Sequence, residues 1–170
     1  LEVFEERQIR LREDFAFIAS ANVGSEFMEE SQKARIKEIA QMEWQRYFDD
    51  TLGLGPIETL RYTDKKNEVL PVTENLLSDK THHIVPREDF DYDAYASEGF
   101  KLEVPEYLYN YGEIYNLCID KGTLSPEERY KINEHVIMSI KMLEKIPFPS
   151  HLTKIPEYAG THHETLIGTG

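Results

Sequence analysis

The chain has 170 residues, of which 40% are hydrophobic and 30% are charged. This length suits one domain, and the hydrophobic share is enough to build a core, which excludes a chain that is disordered throughout. The formal net charge of -13 at pH 7 repels phosphate backbones, so we expect no DNA or RNA partner. A small phosphorylated ligand stays compatible with this charge where local cations offset the field.

Cys118 is the only cysteine, so the chain forms no internal disulfide, which fits a reducing compartment such as the cytosol. We expect Cys118 to pack in the core. The sequence has no apolar run near the ~20 residues that span a bilayer, and it does not open on a signal segment. It begins without Met and ends at Gly168-Thr169-Gly170, so we expect a piece of a longer cytoplasmic domain.

The first part of the chain has the spacing of two helices. Hydrophobic side chains recur at helical intervals over residues 4–20 and again from about 31 to 48. The turn Asn22-Val23-Gly24 separates the two predicted helices.

The segment from 49 to 104 lacks a sustained period. Glycines, prolines and an acidic aromatic stretch at 88–95 interrupt it, and the sequence predicts only short helical turns near 56–62 and 73–77. An irregular connection of this length is typical of an insertion or a functional loop. We assign the pair His82-His83 to this loop.

Helical spacing returns over residues 105–119 and ends near Gly122, where a glycine can form a left-handed C-terminal cap. The segment Ser125-Pro126-Glu127-Glu128 is the clearest helix start, because it combines a cap, a proline at the first helical position and a glutamate that closes a capping box. The predicted helix extends to about Ile146, where Pro147 follows.

The helix predicted over 125–146 carries a histidine beside its apolar stripe. That predicted stripe consists of Ile132, Val136, Ile140 and Leu143. His135 lies on the same side, so we expect it to point inward. An inward histidine is more often a hydrogen-bonded core residue than a metal ligand, and His135 alone does not decide between the two.

A second histidine motif, His162-His163-Glu164, lies near the predicted end of the last helix. Neighbouring helical residues diverge by about 100°, so the two imidazoles are poorly placed to chelate one ion together. They can serve two adjacent ions, or one can bind an ion while the other orients a phosphate. The alternative is a solvated pair at a helix end.

Four separated motifs in the later part of the chain resemble an HD-GYP domain. They are Gly122-Thr123-Leu124-Ser125-Pro126-Glu127-Glu128-Arg129, Ile132-Asn133-Glu134-His135, Ala159-Gly160-Thr161-His162-His163-Glu164 and Gly168-Thr169-Gly170. The family pattern is a Leu-Thr/Ser-Pro-Glu-Glu helix start, an inward His, and a His-His-Glu segment that leads to Gly-x-Gly-Tyr-Pro. The spacing of all four motifs agrees with this pattern.

Residues 11–28, together with Pro105–Asn110, resemble a bacterial subgroup of that family with a long insertion before the later half. The resemblance implies an all-α fold, a helical bundle of the HD-domain type with a long irregular insertion. A single partial domain would then consist of a helical insertion (1–50), an irregular segment (51–104) and a C-terminal half (105–170). The family's His-Asp motif would lie upstream of this chain.

The resemblance also implies a metal-dependent phosphodiesterase that hydrolyses a cyclic dinucleotide, chiefly cyclic di-GMP, with two or three divalent ions, iron or manganese most often. His135, His162 and His163 match the positions of metal ligands. Glu164 matches a supporting position, and Gly168-Thr169-Gly170 begin the substrate loop. Metal coordination lowers the pKa of water from about 15.7 towards about 7, which provides hydroxide at neutral pH.

The chain also departs from the family pattern. It lacks the His-Asp and Lys of the first motif, the Tyr-Pro and a later Asp, and Ile167 stands where the family usually has Asp. We therefore expect residues 1–170 alone to be inactive and to bind metal weakly or not at all.

Two other hypotheses stay open. The first is a degenerate HD-GYP module that binds a nucleotide or a protein partner without catalysis, which Ile167 favours. The second is a plain helical interaction domain in which the histidines only pack, although four separated matches argue against it. The resemblance implies GGDEF-type or other signalling proteins as partners, is compatible with a homodimer, and allows a membrane-tethered parent with this domain in the cytosol.

Overall fold

The computed structural model describes residues 2–62, 68–87 and 103–161. Its helices and strands, in chain order, are α1 (Glu2–Val23), α2 (Glu30–Ala40), β1 (Glu43–Arg46), α3 (Pro56–Thr59), β2 (Val72–Asn75), a 3-10 turn (Thr81–His83), β3 (Ile84–Pro86), β4 (Tyr107–Asn110), α4 (Glu113–Leu117), α5 (Pro126–Leu143) and α6 (Ile155–Gly160). No helix in these ranges is long and apolar enough to cross a membrane.

The chain divides into two compact units. The first unit comprises residues 1–86 and 107–125, and the second comprises residues 87–106 and 126–170. All four strands belong to the first unit, while α5 and α6 belong to the second.

The expected all-α helical bundle is wrong, because the described residues are mixed, with about 49% of them in helices and 12% in strands. The strands form two small antiparallel sheets. In one, β1 pairs with β2 so that Glu43 lies opposite Asn75. In the other, β3 pairs with β4 so that Ile84 lies opposite Asn110. Each strand pairs with a segment more than twenty residues away, which a local hydrophobic period cannot reveal.

The helix predicted over 31–48 is correct only as far as Ala40. There the backbone N–H of Leu77 donates to the carbonyl of Ala40, and that of Leu76 donates to the carbonyl of Met42. These carbonyls would accept intrahelical bonds if α2 continued. The chain that follows β2 therefore takes the acceptors, and residues 43–46 form β1 instead.

The segment from 49 to 104 carries more regular structure than the sequence predicts. The turn expected near 56–62 is present as the four-residue helix α3. The helical turn expected near 73–77 is wrong, because Val72–Asn75 form β2. The pair His82-His83 lies in a 3-10 turn directly before β3.

The helix predicted over 105–119 is wrong at Tyr107–Asn110, which form β4, and begins only at Glu113. Its start is set by Asp79, whose Oδ1 accepts the backbone N–H groups of Ile114 (2.9 Å) and Tyr115 (3.2 Å). A carboxylate in this position satisfies N–H groups that the first turn of a helix leaves unpaired. The cap comes from a residue 35 positions earlier in the chain.

Gly112 is required at this junction. A Cβ built on Gly112 would lie 2.5 Å from Oδ1 of Asp79, closer than carbon and oxygen can approach. In return, the Glu113 carboxylate accepts the backbone N–H of Ser78 at 2.8 Å. These reciprocal bonds join the start of α4 to the segment that follows β2.

The apolar core of the first unit is small and lies among α1, α2 and α4. Met28, Ile36 and Leu117 are buried in it. The partly buried side chains that pack against them are Phe17, Ile18, Ala21, Leu77, Ile114 and Cys118. The expected packing of Cys118 is thus confirmed, and burial raises the pKa of its thiol.

The side chain of Arg46 is also buried in the first unit, with 2% of its surface exposed. Its guanidinium donates to the carboxylates of Glu68 (2.7 Å) and Glu74 (3.1 Å) and to the carbonyl of Phe48. Lys80 also donates to Glu74, at 3.2 Å. A buried guanidinium needs such partners, because the loss of its hydration is costly.

Replacement of Arg46 by Met should lower the free energy of unfolding of the first unit by about 2–3 kcal/mol, because Glu74 would keep a partly buried charge with one cation fewer. Trp44, the only tryptophan, lies two residues away, so its fluorescence during urea unfolding measures the effect. Arg7→Met removes the same charge from an exposed position and is the control. Equal stability of the two variants would contradict this role.

Glu74 should make stability depend on pH. Burial acts to raise the pKa of Glu74, but Lys80 and Arg46 outweigh it and lower the pKa below its ordinary value of 4.5. The stabilising contribution is therefore present above about pH 4.5 and is lost as the pH falls through the folded-state pKa. We expect the stability difference between wild type and Glu74→Gln to be constant above about pH 5 and to shrink below about pH 4.5.

The measurement is urea unfolding at a series of pH values, followed by fluorescence. Glu43→Gln, at an exposed position of the same sheet, is the control. A difference for Glu74→Gln that stays constant down to pH 3 would refute the assignment.

Candidate functional site

Helix α5 carries the first candidate ligand, and it begins at the predicted position. It begins at Pro126, with Glu127 and Glu128 in its first turn. Negative charge there is favourable at the positive end of the helix dipole. The helix ends at Leu143 and not at the expected Ile146, because the last N–H groups bond to carbonyls three residues back and a proline follows.

The predicted stripe of α5 is only partly correct, because three of its four residues are half-buried and the most buried apolar residues lie on another face. Tyr130 and Ile137 are buried, with 3% and 2% of their surfaces exposed, whereas Ile132 is 42% exposed. His135 is exposed, so the expectation that it points inward is wrong. At about 100° per residue, His135 lies roughly 150° around the helix from the direction shared by Tyr130 and Ile137.

An arginine holds the buried face of α5 in the second unit. The guanidinium carbon of Arg87 lies 4.5 Å from the centroid of the Tyr130 ring. Its Nε donates to the carbonyl of Pro105 at 2.8 Å. A cation over an aromatic face is attracted to the ring electrons, and more strongly where water is excluded. The contact between Arg87 and Tyr130 therefore opposes a rotation of α5 that would turn His135 inward.

Helix α6 packs closely against α5 through Gly160. A Cβ built on Gly160 would lie 2.9 Å from Cδ1 of Ile140. A cavity of about 620 Å³ adjoins this contact. It is lined by Ile140, Leu143, Glu144, Ile146, Phe148, Thr153, Pro156, Glu157, Gly160 and Thr161. Helix α6 ends at Gly160, the residue that makes this close contact, and His162 follows two residues later in the sequence.

Most of the predicted site residues lie outside the described residues. This holds for His162, His163 and Glu164, for Ile167, and for Gly168-Thr169-Gly170. Within residues 2–62, 68–87 and 103–161, no group of three His, Cys, Asp or Glu side chains is placed to hold a metal ion. The convergence of three imidazoles therefore stays a prediction.

The positions of His135 and Gly160 limit how His135 and His162 could share one metal ion. Ile140, which contacts the end of α6, lies five residues after His135, hence about 7.5 Å along the axis of α5 and about 140° around it. His162 follows Gly160 by two residues, which extend at most about 7 Å. For His162 and His135 to bind a common ion, the chain after Thr161 must turn towards the His135 side of α5.

A second histidine pair, His82-His83, makes contacts that the sequence does not predict. The ring of His82 stacks on Tyr62, with centroids 3.9 Å apart, and meets His83 edge to face at 4.8 Å. The backbone N–H of Lys80 donates to Nδ1 of His83 at 3.2 Å. Burial, foremost, lowers the pKa of His83. These contacts hold the 3-10 turn before β3, and the sequence contains no signal for a partner as distant as Tyr62.

A family model described as an HD domain matches residues 71–170, more than half of the chain. The chain belongs to the HD domain family. Members of this family are generally metal-dependent hydrolases of the phosphohydrolase superfamily, and they usually bind divalent metals. The matched region contains His135, His162 and His163. No curated protein and no solved structure matches the chain.

Among the described residues, His135 has the donor chemistry of a metal ligand. His135 is exposed near the middle of an 18-residue helix, where the backbone holds the ring at a defined place. Imidazole nitrogen suits iron, manganese and zinc. The neighbouring carboxylate, that of Glu134, accepts a bond from Lys131 at 2.7 Å. His135 could therefore hold an ion together with histidines that follow α6.

The contact between Gly160 and Ile140 should be revealed by a pair of substitutions. Gly160→Ala should loosen α6, because the added methyl group meets Cδ1 of Ile140. Ile140→Val removes that Cδ1 but keeps Cγ1, which lies 3.1 Å from the built Cβ, so we expect the double variant to recover part of the loss, which we estimate at about 1 kcal/mol. Hydrogen exchange of the α6 amides in the wild type and the three variants measures this coupling. Strictly additive effects would mean that the two residues do not contact.

Proposed function

We propose that residues 1–170 are part of an HD-GYP-type phosphodiesterase that hydrolyses a cyclic dinucleotide, with cyclic di-GMP as the first candidate. One observation carries the proposal. A helix begins at Pro126 and bears His135, a second helix ends at Gly160, and His162-His163-Glu164 follow at once, all within the region that matches the HD domain family.

In this proposal the three histidines hold the metal ions. His135 is presented by α5, while His162 and His163 follow α6, whose end is anchored on α5 by Gly160. Glu164 orients or supports one of the neighbouring imidazoles through a hydrogen bond, as carboxylates commonly do beside a ligating histidine. Bound divalent ions would lower the pKa of a bound water molecule and would neutralise negative charge on the phosphate.

The segment Gly168-Thr169-Gly170 would approach the substrate backbone, because glycines allow a close approach of the chain to a phosphate. The net charge of -13 works against binding of an anionic dinucleotide. Neutral imidazoles add no further negative charge, so the charge of the ions would remain available to attract the phosphates. The remaining ligands would come from residues outside 1–170.

A degenerate module that binds without hydrolysis is the second candidate, and Ile167 favours it. An alkyl side chain offers no oxygen that could bind an ion or accept a hydrogen bond, unlike the Asp that the family usually has at this position. The two candidates differ in metal content and in turnover. A catalytic domain should retain about two or more ions in the full-length protein, whereas a binding module need not.

Metal binding by the chain tests the ligand assignment. We expect weak binding of Mn²⁺, followed by the loss of the electron paramagnetic resonance signal of free Mn²⁺. Replacement of His135, His162 or His163 by Ala should each weaken binding roughly tenfold or more, since each removes one ligand. His151→Ala, at an exposed position of the same unit, is the matched control and should leave binding unchanged.

The reaction itself is measured on the full-length protein with cyclic di-GMP and Mn²⁺ or Fe²⁺, by chromatography of the linear product. Loss of turnover in His162→Ala, with turnover retained in His151→Ala, is the expected result. Metal binding that depends on the three histidines, without turnover on any cyclic dinucleotide, would favour the degenerate module. Equal Mn²⁺ affinity of all four variants would rule out the site.

A further inference from the structure

Helix α1 presents an apolar face that the described residues of its own unit do not cover. Only Asp14 is buried among its 22 residues. The helix packs on the rest of the unit through its second half, where Phe17, Ile18 and Ala21 contact the core. Asp14 accepts a bond from Arg35 of α2 at 3.2 Å, and Arg10 donates to Glu38 of α2 at 3.0 Å.

The uncovered face contains large hydrophobic side chains. Phe4 is 68% exposed, Leu11 is 48% exposed and Phe15 is 78% exposed. At about 100° per residue, these three positions and Gln8 point within roughly 30° of a common direction. That direction lies roughly 110° around α1 from the face formed by Arg10 and Asp14, so α2 does not obstruct it.

The spacing on this face is that of a coiled-coil seam. Phe4 and Leu11, seven residues apart, occupy one seam position, while Gln8 and Phe15 occupy the other. Seam positions that alternate by four and three residues pack knobs into holes of a facing helix. The seam spans twelve residues, or about 18 Å, which two helices can share.

The charges beside the seam complement those of a second copy when the two helices run antiparallel, but not when they run parallel. Glu5 and Arg12 flank the seam on one side, and both are exposed. In an antiparallel pair of α1 helices with Phe4 opposite Phe15, Glu5 of each copy lies opposite Arg12 of the other, which is attractive. In a parallel pair, Arg7 would face Arg12 of the second copy, which is repulsive.

We propose that α1 is a homodimerisation helix that pairs antiparallel with α1 of a second copy of this chain. Phe4 of each copy packs against Phe15 of the other, Leu11 lies opposite Gln8, and two Glu5–Arg12 ion pairs border the contact. The arrangement is isologous, since the same surface of both copies forms the interface. This dimer does not depend on the proposed hydrolytic function.

The contact is short, so the dimer should be weak. Two aromatic pairs supply most of the buried apolar surface, and exposed ion pairs add little. We expect a dissociation constant on the order of 10–100 μM, in keeping with an interface below the standard size. The measurement is sedimentation equilibrium of the chain from about 5 to 300 μM, with a reducing agent because Cys118 is free.

Phe15→Glu should weaken the dimer at least tenfold, because it places a charge in the seam. Ile9→Glu makes the same change on the far side of α1, where Ile9 is 55% exposed, and should leave the dissociation constant within about twofold of wild type. Circular dichroism checks that both variants keep their helices. Both substituted side chains are largely exposed, so we expect no loss of folding.

Charge reversal tests the direction of pairing. Glu5→Arg and Arg12→Glu should each weaken the dimer, whereas the double variant restores opposite charges and should return the dissociation constant to within about twofold of wild type. A chain that stays monomeric up to about 300 μM overturns the proposal. So does a dimer that tolerates Phe15→Glu, and failure of the double variant to recover affinity overturns the antiparallel register.

Discussion

A buried cation organises the first unit. The guanidinium of Arg46, 2% exposed, must be surrounded by acceptors because it cannot lose its charge. Glu68, Glu74 and the carbonyl of Phe48 provide them, and they come from separate parts of the chain. The apolar core of the same unit is small. The ion pair between Arg46 of β1 and Glu74 of β2 therefore adds a side-chain link to the backbone pairing of the two strands.

The second unit depends on contacts of a different kind. Tyr130, beneath the guanidinium of Arg87, turns one face of α5 inward, and Gly160 allows α6 to lie directly against Ile140. These contacts set the orientation of the proposed ligand helix. They leave His135 exposed to solvent. A metal ion bound there would take its other ligands from the chain after α6. A hydrolytic site on this unit would be built at the surface of α5.

Family membership sets the level at which a function can be assigned to this chain. The HD domain match spans the three histidines, and the helix start at Pro126 stands where the motif pattern requires it. The family match makes a metal-dependent phosphohydrolase the coarse function. Family membership does not specify the substrate, because the substrate is selected by contacts with bases and phosphates that motif spacing does not determine.

Several features follow from the sequence alone. The helix over 4–20, the start of α5 and the packing of Cys118 depend on local spacing, capping and side-chain type, which neighbouring residues determine. The four motifs that resemble an HD-GYP domain are also local sequence features. Tertiary structure decided the strands at Glu43–Arg46 and Tyr107–Asn110, because their partners are distant in the chain. It also decided the exposure of His135, because Tyr130 and Ile137, which lie off the predicted stripe, are the most deeply buried apolar residues of α5.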